Sequence, residues 1–488
     1  MYYHRFAPLR QVCNYPFKYK NMKKILNPFS SYWSKPQLYA IMISAACLLF
    51  SCKKFVEIGA PVSKIETVSV FSNDQAALSA ALVVYANMGT SGLTICSGGA
   101  TLYPALSADE LTYTSTNTEL LSYQHNAIIA DNGTGIYGRL WTPAYKNIYY
   151  ANAVLEGLSK SVSLSDTLKK QLKGEMLVVR ALNYFYLVNL FGDVPLELST
   201  DYKVNNIMAR TPVNKIYAQL VTDLTLAVSL LPASSPAQLN IRPNKWAASA
   251  LLTRIYLYQK DWTNAESQSS AVIGSAQYHL ENNLSNVFAQ GSAETIWQLA
   301  SDYRNTSEGS TFIPSGSTSR PSYAINNYLL AAFENGDQRK VSWLKKNTVG
   351  GTDYYYPYKY KVRTSTPITE YYVVFRLAEQ YLIRAEARAQ LNNVDGAKAD
   401  LNLIRSRAGL TGTNAADQPS LLIAVGAERQ TELFCEWGHR FLDLKRSGLA
   451  DQVLGIRKAP DWQPADALYP IPLSEIQANP FLIQNPGY

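Results

Sequence analysis

Residues 243–275 and 375–407 read as two copies of one helical unit. A chain that carries a unit twice is constrained first by how the copies stack. Setting Ala265 against Ala397 places Leu251 opposite Ile383, Thr253 opposite Ala385, and Val272 opposite Ile404. In each copy a small residue, Thr253 or Ala385, lies twelve positions before that alanine. Small residues at this spacing let two antiparallel helices approach closely. One position is not kept: Tyr256 has Arg388 as its counterpart. The spacing predicts a mainly α fold built on tetratricopeptide-like helix pairs, with irregular loops and small strands between them.

Upstream, the apolar run from Leu38 to Ser51 is too short for a comfortable membrane span and has the length of a signal-peptide core. Lys23, Lys24 and Lys35 precede it, and Met22 looks like the start of an ordinary leader. Leu49-Phe50-Ser51-Cys52 resembles the lipobox of bacterial lipoproteins, which implies lipidation at Cys52 and a domain tethered to a membrane surface. Seven of the 45 Lys and Arg and none of the 37 Asp and Glu fall in residues 1–51. The remainder is close to neutral, 38 basic against 37 acidic, so nucleic-acid binding loses its electrostatic argument. Residues 1–51 are therefore set aside as leader, and 52–235 and 236–488 are expected to pack as one globular unit. After Cys52 only Cys96 and Cys435 remain, which is no disulfide framework, although one bridge is possible.

Along that unit, a helix is expected after Phe71, capped by Asp74 or Ser72, with Leu78, Leu82 and Tyr85 on one face. Residues 90–133, rich in Gly, Ser, Thr and Asn, read as irregular. Leu140, Ala144, Ile148, Ala151 and Leu155 line the next helix, and another runs from about Asp166 to Leu190. A third is expected with Thr211 as its cap and Pro212 at its first position. Residues 290–370 are again irregular, with a strand at Thr295–Leu299 and a dense tyrosine run at 354–360. A last long helix is predicted from about Leu421 to Ser447, stacking Glu432, Glu436 and Arg440 so that Glu436 pairs with Arg440.

Three segments together resemble the SusD/RagB family of outer-membrane nutrient-binding lipoproteins. They are Glu175 through Arg180-Ala181-Leu182-Asn183-Tyr184-Phe185 to Gly192-Asp193-Val194-Pro195; Arg429 through Glu432, Glu436, Gly438 and Arg440 to Asp443-Leu444-Lys445-Arg446; and Tyr469-Pro470-Ile471-Pro472 with Asn485-Pro486-Gly487-Tyr488. The resemblance implies a non-enzymatic binding protein on the outer membrane that captures an oligosaccharide, in some members a peptide. It would pass that cargo to a TonB-dependent transporter of the SusC type. Lys53-Lys54 departs from the acidic residues that follow the lipidated cysteine in many surface-displayed relatives.

Sugar rings have apolar faces that stack on aromatic side chains, while their hydroxyls bond to polar ones. Aromatics in the irregular stretches are therefore the candidate ligand residues: Tyr103, Tyr113, Tyr123, Trp297, Tyr303 and Tyr323, with Asn126, Asp131 and Arg304 beside them. Catalytic chemistry has weaker support. Asp109-Glu110 could serve a glycosidase only if two carboxylates flanked a cleft. Gly133 to Gly138 spells G-x-G-x-x-G, but helices follow it where a nucleotide site needs a βαβ unit. Glu436-x-x-His439 has no second pair to complete a di-metal site, and His439 reads as a surface residue. No catalytic residue, metal or cofactor is expected. The rival reading is a helical-repeat adaptor that binds only protein, and exposed aromatics in 90–133 and 290–370 would speak against it.

Overall fold

A computed structural model describes residues 70–89, 92–130, 135–301 and 304–488. The leader, Cys52, Lys53-Lys54, Asp131 and Tyr303 lie outside the described residues. The principal helices are α1 (Asp74–Met88), α2 (Ala100–Ser107), α3 (Thr142–Lys160), α4 (Asp166–Phe191), α5 (Val213–Leu230), α6 (Lys245–Gln259), α7 (Trp262–Gly274), α8 (Leu377–Gln390), α9 (Val394–Arg407), α10 (Gln418–Glu432) and α11 (His439–Arg446). From α4 to α9 each helix packs against the one before it, and α10 closes on α8 and α9. Short strands lie between and beside them: β1 (Leu111–Tyr113), β2 (Thr295–Leu299), β3 (Tyr323–Ile325), β4 (Leu344–Val349), β5 (Thr352–Pro357) and β6 (Tyr372–Arg376). They form three two-stranded antiparallel sheets, β1–β3, β2–β6 and β4–β5.

The repeated unit is α6–α7 and α8–α9, capped by the side chains of Asn244, Asp261 and Asn393. All eight aligned positions, from Leu251 and Ile383 to Val272 and Ile404, are fully buried. Arg388, which replaces the aromatic residue, pairs with Glu266 of α7 and Asp400 of α9, both at 2.9 Å. The second copy thus docks on the first through charge where the spacing called for a ring. α4 runs through the middle and is buried on every side from Gly174 to Val188, as expected of a helix enclosed by its neighbours.

Several local expectations are corrected. Asn73 caps α1, its Oδ1 accepting from Ala76 N at 2.9 Å, while Asp74 bonds across to Ser165. The buried face of α1 is Ala77, Ala81, Val84, Tyr85 and Met88, so Tyr85 lies on it as expected, while Leu78 is partly buried and Leu82 is 43% exposed. The small alanines allow close packing on α3, which the larger leucine would block. At α5, Asp193 accepts from Val213 N (2.9 Å) in place of Thr211, which bridges Val194 instead. Residues 90–133 contain α2, every residue of which is buried, and a helix at Thr118–Gln124.

The long C-terminal helix is broken. α10 ends at Glu432, α11 starts at His439, and Cys435, Trp437 and Gly438 between them have φ of 48, 47 and 70°. Glu436 therefore faces away from Arg440 and pairs with Lys359 and Arg376 (Arg376 Nε–Oε2 2.8 Å). Arg440 forks onto Asp109 at 2.8 and 2.9 Å. His439 is buried, not on the surface. Cys96 and Cys435 are both free and buried. Among the described residues no helix is long and apolar enough to cross a membrane.

Candidate functional site

β1 and β3 bring together two stretches far apart in the chain. Their register sets Leu111 against Ile325, Thr112 against Ala324 and Tyr113 against Tyr323. The Tyr113 and Tyr323 rings lie 5.3 Å apart, tilted by 37°, and the Phe312 edge meets Tyr323 at 5.9 Å. Tyr323 is buried beneath, and Tyr113 is partly exposed. Cross-strand aromatic pairs of this kind stiffen a short ladder that few backbone bonds hold. The Thr118–Gln124 helix adds to the fixing: Asn117 caps it, and Gln124 Oε1 accepts from Tyr113 N at 2.5 Å.

Behind this pair runs a second line of rings. Tyr103 and Tyr123 are 4.6 Å apart, and Tyr123 meets Tyr469 edge-on at 5.5 Å. Burial holds the Tyr103 and Tyr323 phenols well above their usual range, and the Arg139 charge opposes that shift in both. Arg139 thus sits within electrostatic reach of both lines, and a Cβ added at Gly92 would meet its guanidinium at 2.5 Å. Glu119 accepts from Gly135 N beside it. Tyr103, Tyr113, Tyr123 and Tyr323 are therefore one cluster, with Arg139 and Glu119 as polar members that sequence reasoning missed. Arg139 was hidden because it falls in a segment read as the entry to a helix, and Glu119 because the search of 90–133 followed its aromatics and the residues beside them.

The other candidates lie elsewhere. Trp297 is fully buried in β2 against Phe375 (5.9 Å) and has no exposed face. Both faces of β2 are covered, so its burial has no alternation to betray it. Asn126 is 5% exposed, has φ of 50°, and donates to Ser107 O at 3.2 Å, so it fixes a turn under the cluster. Arg304 reaches Gly89 O and Ser97 Oγ, both at 3.5 Å, in a separate recess. Asp109 has a fully buried side chain held by Arg440 and Arg457, and Glu110 is 1% exposed. Neither carboxylate opens to a cleft.

More aromatic surface comes from the β4–β5 hairpin, which packs on β3. Tyr354, Tyr355 and Tyr358 are partly exposed; Arg320 lies over Tyr354 at 4.8 Å, and Lys345 and Lys361 over Tyr358 at 5.0 and 4.4 Å. Tyr328 is 44% exposed. The aromatics of the irregular stretches thus divide into a buried set and an exposed set. The local density of tyrosines at 354–360 was the available signal for the exposed one. Among the described residues no group of His, Cys, Asp or Glu could hold a metal ion.

Comparison with known proteins gives the same architecture. A family model described as the SusD family matches residues 294–488, and one described as starch-binding, associating with the outer membrane, matches 93–257. SusD-like protein P25 of Formosa agariphila is 28% identical, with 71% of this chain and 79% of that protein covered. SusD-like protein P2 of the same organism is 25% identical over 74% and 83%. A SusD superfamily protein from Bacteroides vulgatus superposes with a TM-score of 0.76 at 21% identity, covering 85% of this chain and 99% of that one. A laminarin-binding SusD-like protein superposes at 0.71 with 24% identity, covering 86% and 100%. Surface glycan-binding protein A from Bacteroides uniformis does so at 0.72 with 19% identity, covering 84% and 99%. With the helix pairs, the buried C-terminal motif and two family models in chain order, this chain belongs to the SusD family.

Proposed function

We propose that this protein captures an oligosaccharide at the outer membrane and hands it to a TonB-dependent transporter of the SusC type, anchored by lipid on Cys52. It acts by binding and carries out no catalysis. The observation that carries the reading is Tyr113: a partly exposed ring braced by Tyr323, in a cluster that also holds Arg139. A braced ring loses little freedom on stacking against a sugar, and a guanidinium supplies hydrogen bonds to hydroxyls. Glycan binding in two similar structures, one named for laminarin and one for surface glycan, supports the ligand class. Tyr303 and Asp131 are retained as further contacts, and Arg304 as a more remote one.

Calorimetric titration of the purified protein against a panel of polysaccharides and peptides tests this. We expect a polysaccharide to bind, and Tyr113→Ala to abolish the heat while the protein stays folded, with at most the small loss of stability that a missing cross-strand pair brings. Binding of peptides alone would favour the adaptor reading, and unchanged glycan affinity in Tyr113→Ala would remove the site. Palmitate labelling of the parent against Cys52→Ala tests the anchor. Co-purification with a large outer-membrane barrel tests the partner.

A further inference from the structure

A cleft of about 740 Å³ that shares no lining residue with the tyrosine cluster lies between the C-terminal end of α4, the start of α5, the end of α11 and the C-terminal tail. Three cations line it, Arg210, Lys445 and Arg446, against one acid, Asp193. Two of the cations are already engaged. Arg446 forks onto Glu386 and bonds Asp443. Arg210 spends its donors on the carbonyl oxygens of Phe191, Asp193 and Ile483 and on Asn485 Oδ1. Asp193 is taken up by Val213 N.

Lys445 differs. Its Nζ donates to Asn189 O and lies 5.2 Å from the Phe441 ring centre, and among the described residues it has no carboxylate partner. Burial alone pulls its ammonium down to about 7, with no nearby anion opposing the shift. An ammonium has three N–H groups, so two remain for a ligand. The mouth of the cleft is apolar: Phe481 and Ile483 are 54% and 74% exposed.

We propose that this cleft binds a carboxylate carried on an apolar body, the carboxylate on Lys445 Nζ and the body against Phe481 and Ile483. The site is separate from the glycan platform and does not depend on it. A partly desolvated ammonium without a counter-charge gains more from an anion than a solvated one does.

Titration of the full-length protein with octanoate, octan-1-ol and octylamine at about pH 6, below the Lys445 value so that the ammonium is present, tests the assignment. Octanoate is expected to bind most tightly and octylamine not at all. Lys445→Met should weaken octanoate by about tenfold or more, the loss typical of a charge-assisted hydrogen bond. Ile483→Asp, at an exposed position where folding is safe, should weaken it as well by placing a carboxylate at the mouth. Glycan binding should be unaffected in both variants. Octanol binding as tightly as octanoate, no octanoate binding, or octanoate affinity unchanged in the two variants would each overturn the proposal.

Discussion

Arg254 of α6 and Glu379 of α8 meet in a two-pronged ion pair, Nε–Oε1 and Nη2–Oε2 both 2.7 Å, with neither side chain more than 2% exposed. The pair clamps one copy of the repeated unit to the other. Arg254 also lies 4.8 Å from the Phe375 ring and donates to Tyr186 Oη at 2.9 Å, so it ties α4 and β6 to the same point. Breaking a buried pair leaves one charge stranded, which costs about 3–5 kcal/mol, more than the pair itself contributes over an apolar substitute. Arg254→Met should therefore lower the denaturant midpoint sharply. Adding Glu379→Leu should recover a large part of that loss, and a double-mutant cycle with no coupling would show that the clamp carries nothing.

Glu110 gives stability a pH dependence of definite sign. Burial, with the Asp109 charge adding to it, pushes this carboxyl up to about 8 against the pull of Cys435 N–H. In the unfolded chain it titrates near ~4.3. Between those values the folded protein holds a proton that the unfolded chain has released, so raising the pH destabilises, by at most about 1.4 kcal/mol per pH unit for one group. The loss begins above the unfolded value and is complete above the folded one. Glu308, also held near 8 by burial, adds in the same direction. Lys445 and Lys458, lowered to about 7, oppose it at higher pH. The clean window is pH 5 to 7, where Glu110→Gln should lose less stability than the parent. Parallel melting curves for the two proteins would contradict the assignment.

The break between α10 and α11 rests on Gly438. Its φ is 70°, and an added Cβ would come within 2.8 Å of Ala100 O and 2.9 Å of Pro104 Cβ. Gly438→Ala thus meets both a left-handed backbone and a filled space, and should cost about 3 kcal/mol. Gly426, inside α10 with nothing within 4 Å of its Cβ position, supplies the contrast. Gly426→Ala should stabilise by about 0.5–1 kcal/mol through helix propensity. Chemical denaturation of both variants reads the two signs directly.

The repeated helix pairs were legible because Thr253, Ala265, Ala385 and Ala397 sit at helical spacing among apolar residues, and local periodicity is enough to place them. α2 was not, because it is only eight residues long, is buried on every side and carries Pro104 inside it, which reads as a helix breaker. The helix break was hidden for a different reason. Leu433 to Gly438 continue a helical pattern, yet Trp437 is drawn out to stack on Tyr372 (4.8 Å) and to donate to Val373 O (2.7 Å). Contacts with residues some sixty positions away override the local preference there. The same limit applies at the site. Tyr113 and Trp297 look alike as aromatics in irregular surroundings, and only the pairing of β1 with β3 and of β2 with β6 separates an exposed ring from a core one.

Asn485 fastens the C-terminal tail, and its removal should be costly out of proportion to its size. Its Nδ2 donates to Phe191 O at 2.9 Å and to Tyr469 O at 2.7 Å, while Oδ1 accepts from Arg210 at 2.5 Å. Asn485 is 2% exposed, so water cannot replace these partners without the tail lifting off. Asn485→Ala should cost about 2–3 kcal/mol, roughly 1 kcal/mol for each bond lost. Asn485→Asp keeps the acceptor for Arg210 but turns an oxygen toward two carbonyls, so it should also destabilise, and more as the pH rises above the carboxyl's titration. Limited proteolysis followed by mass spectrometry reads tail release separately from global unfolding. A tail equally protected in Asn485→Ala and the parent would place the fastening elsewhere, on Tyr488 Oη, which donates to Leu468 O at 2.8 Å.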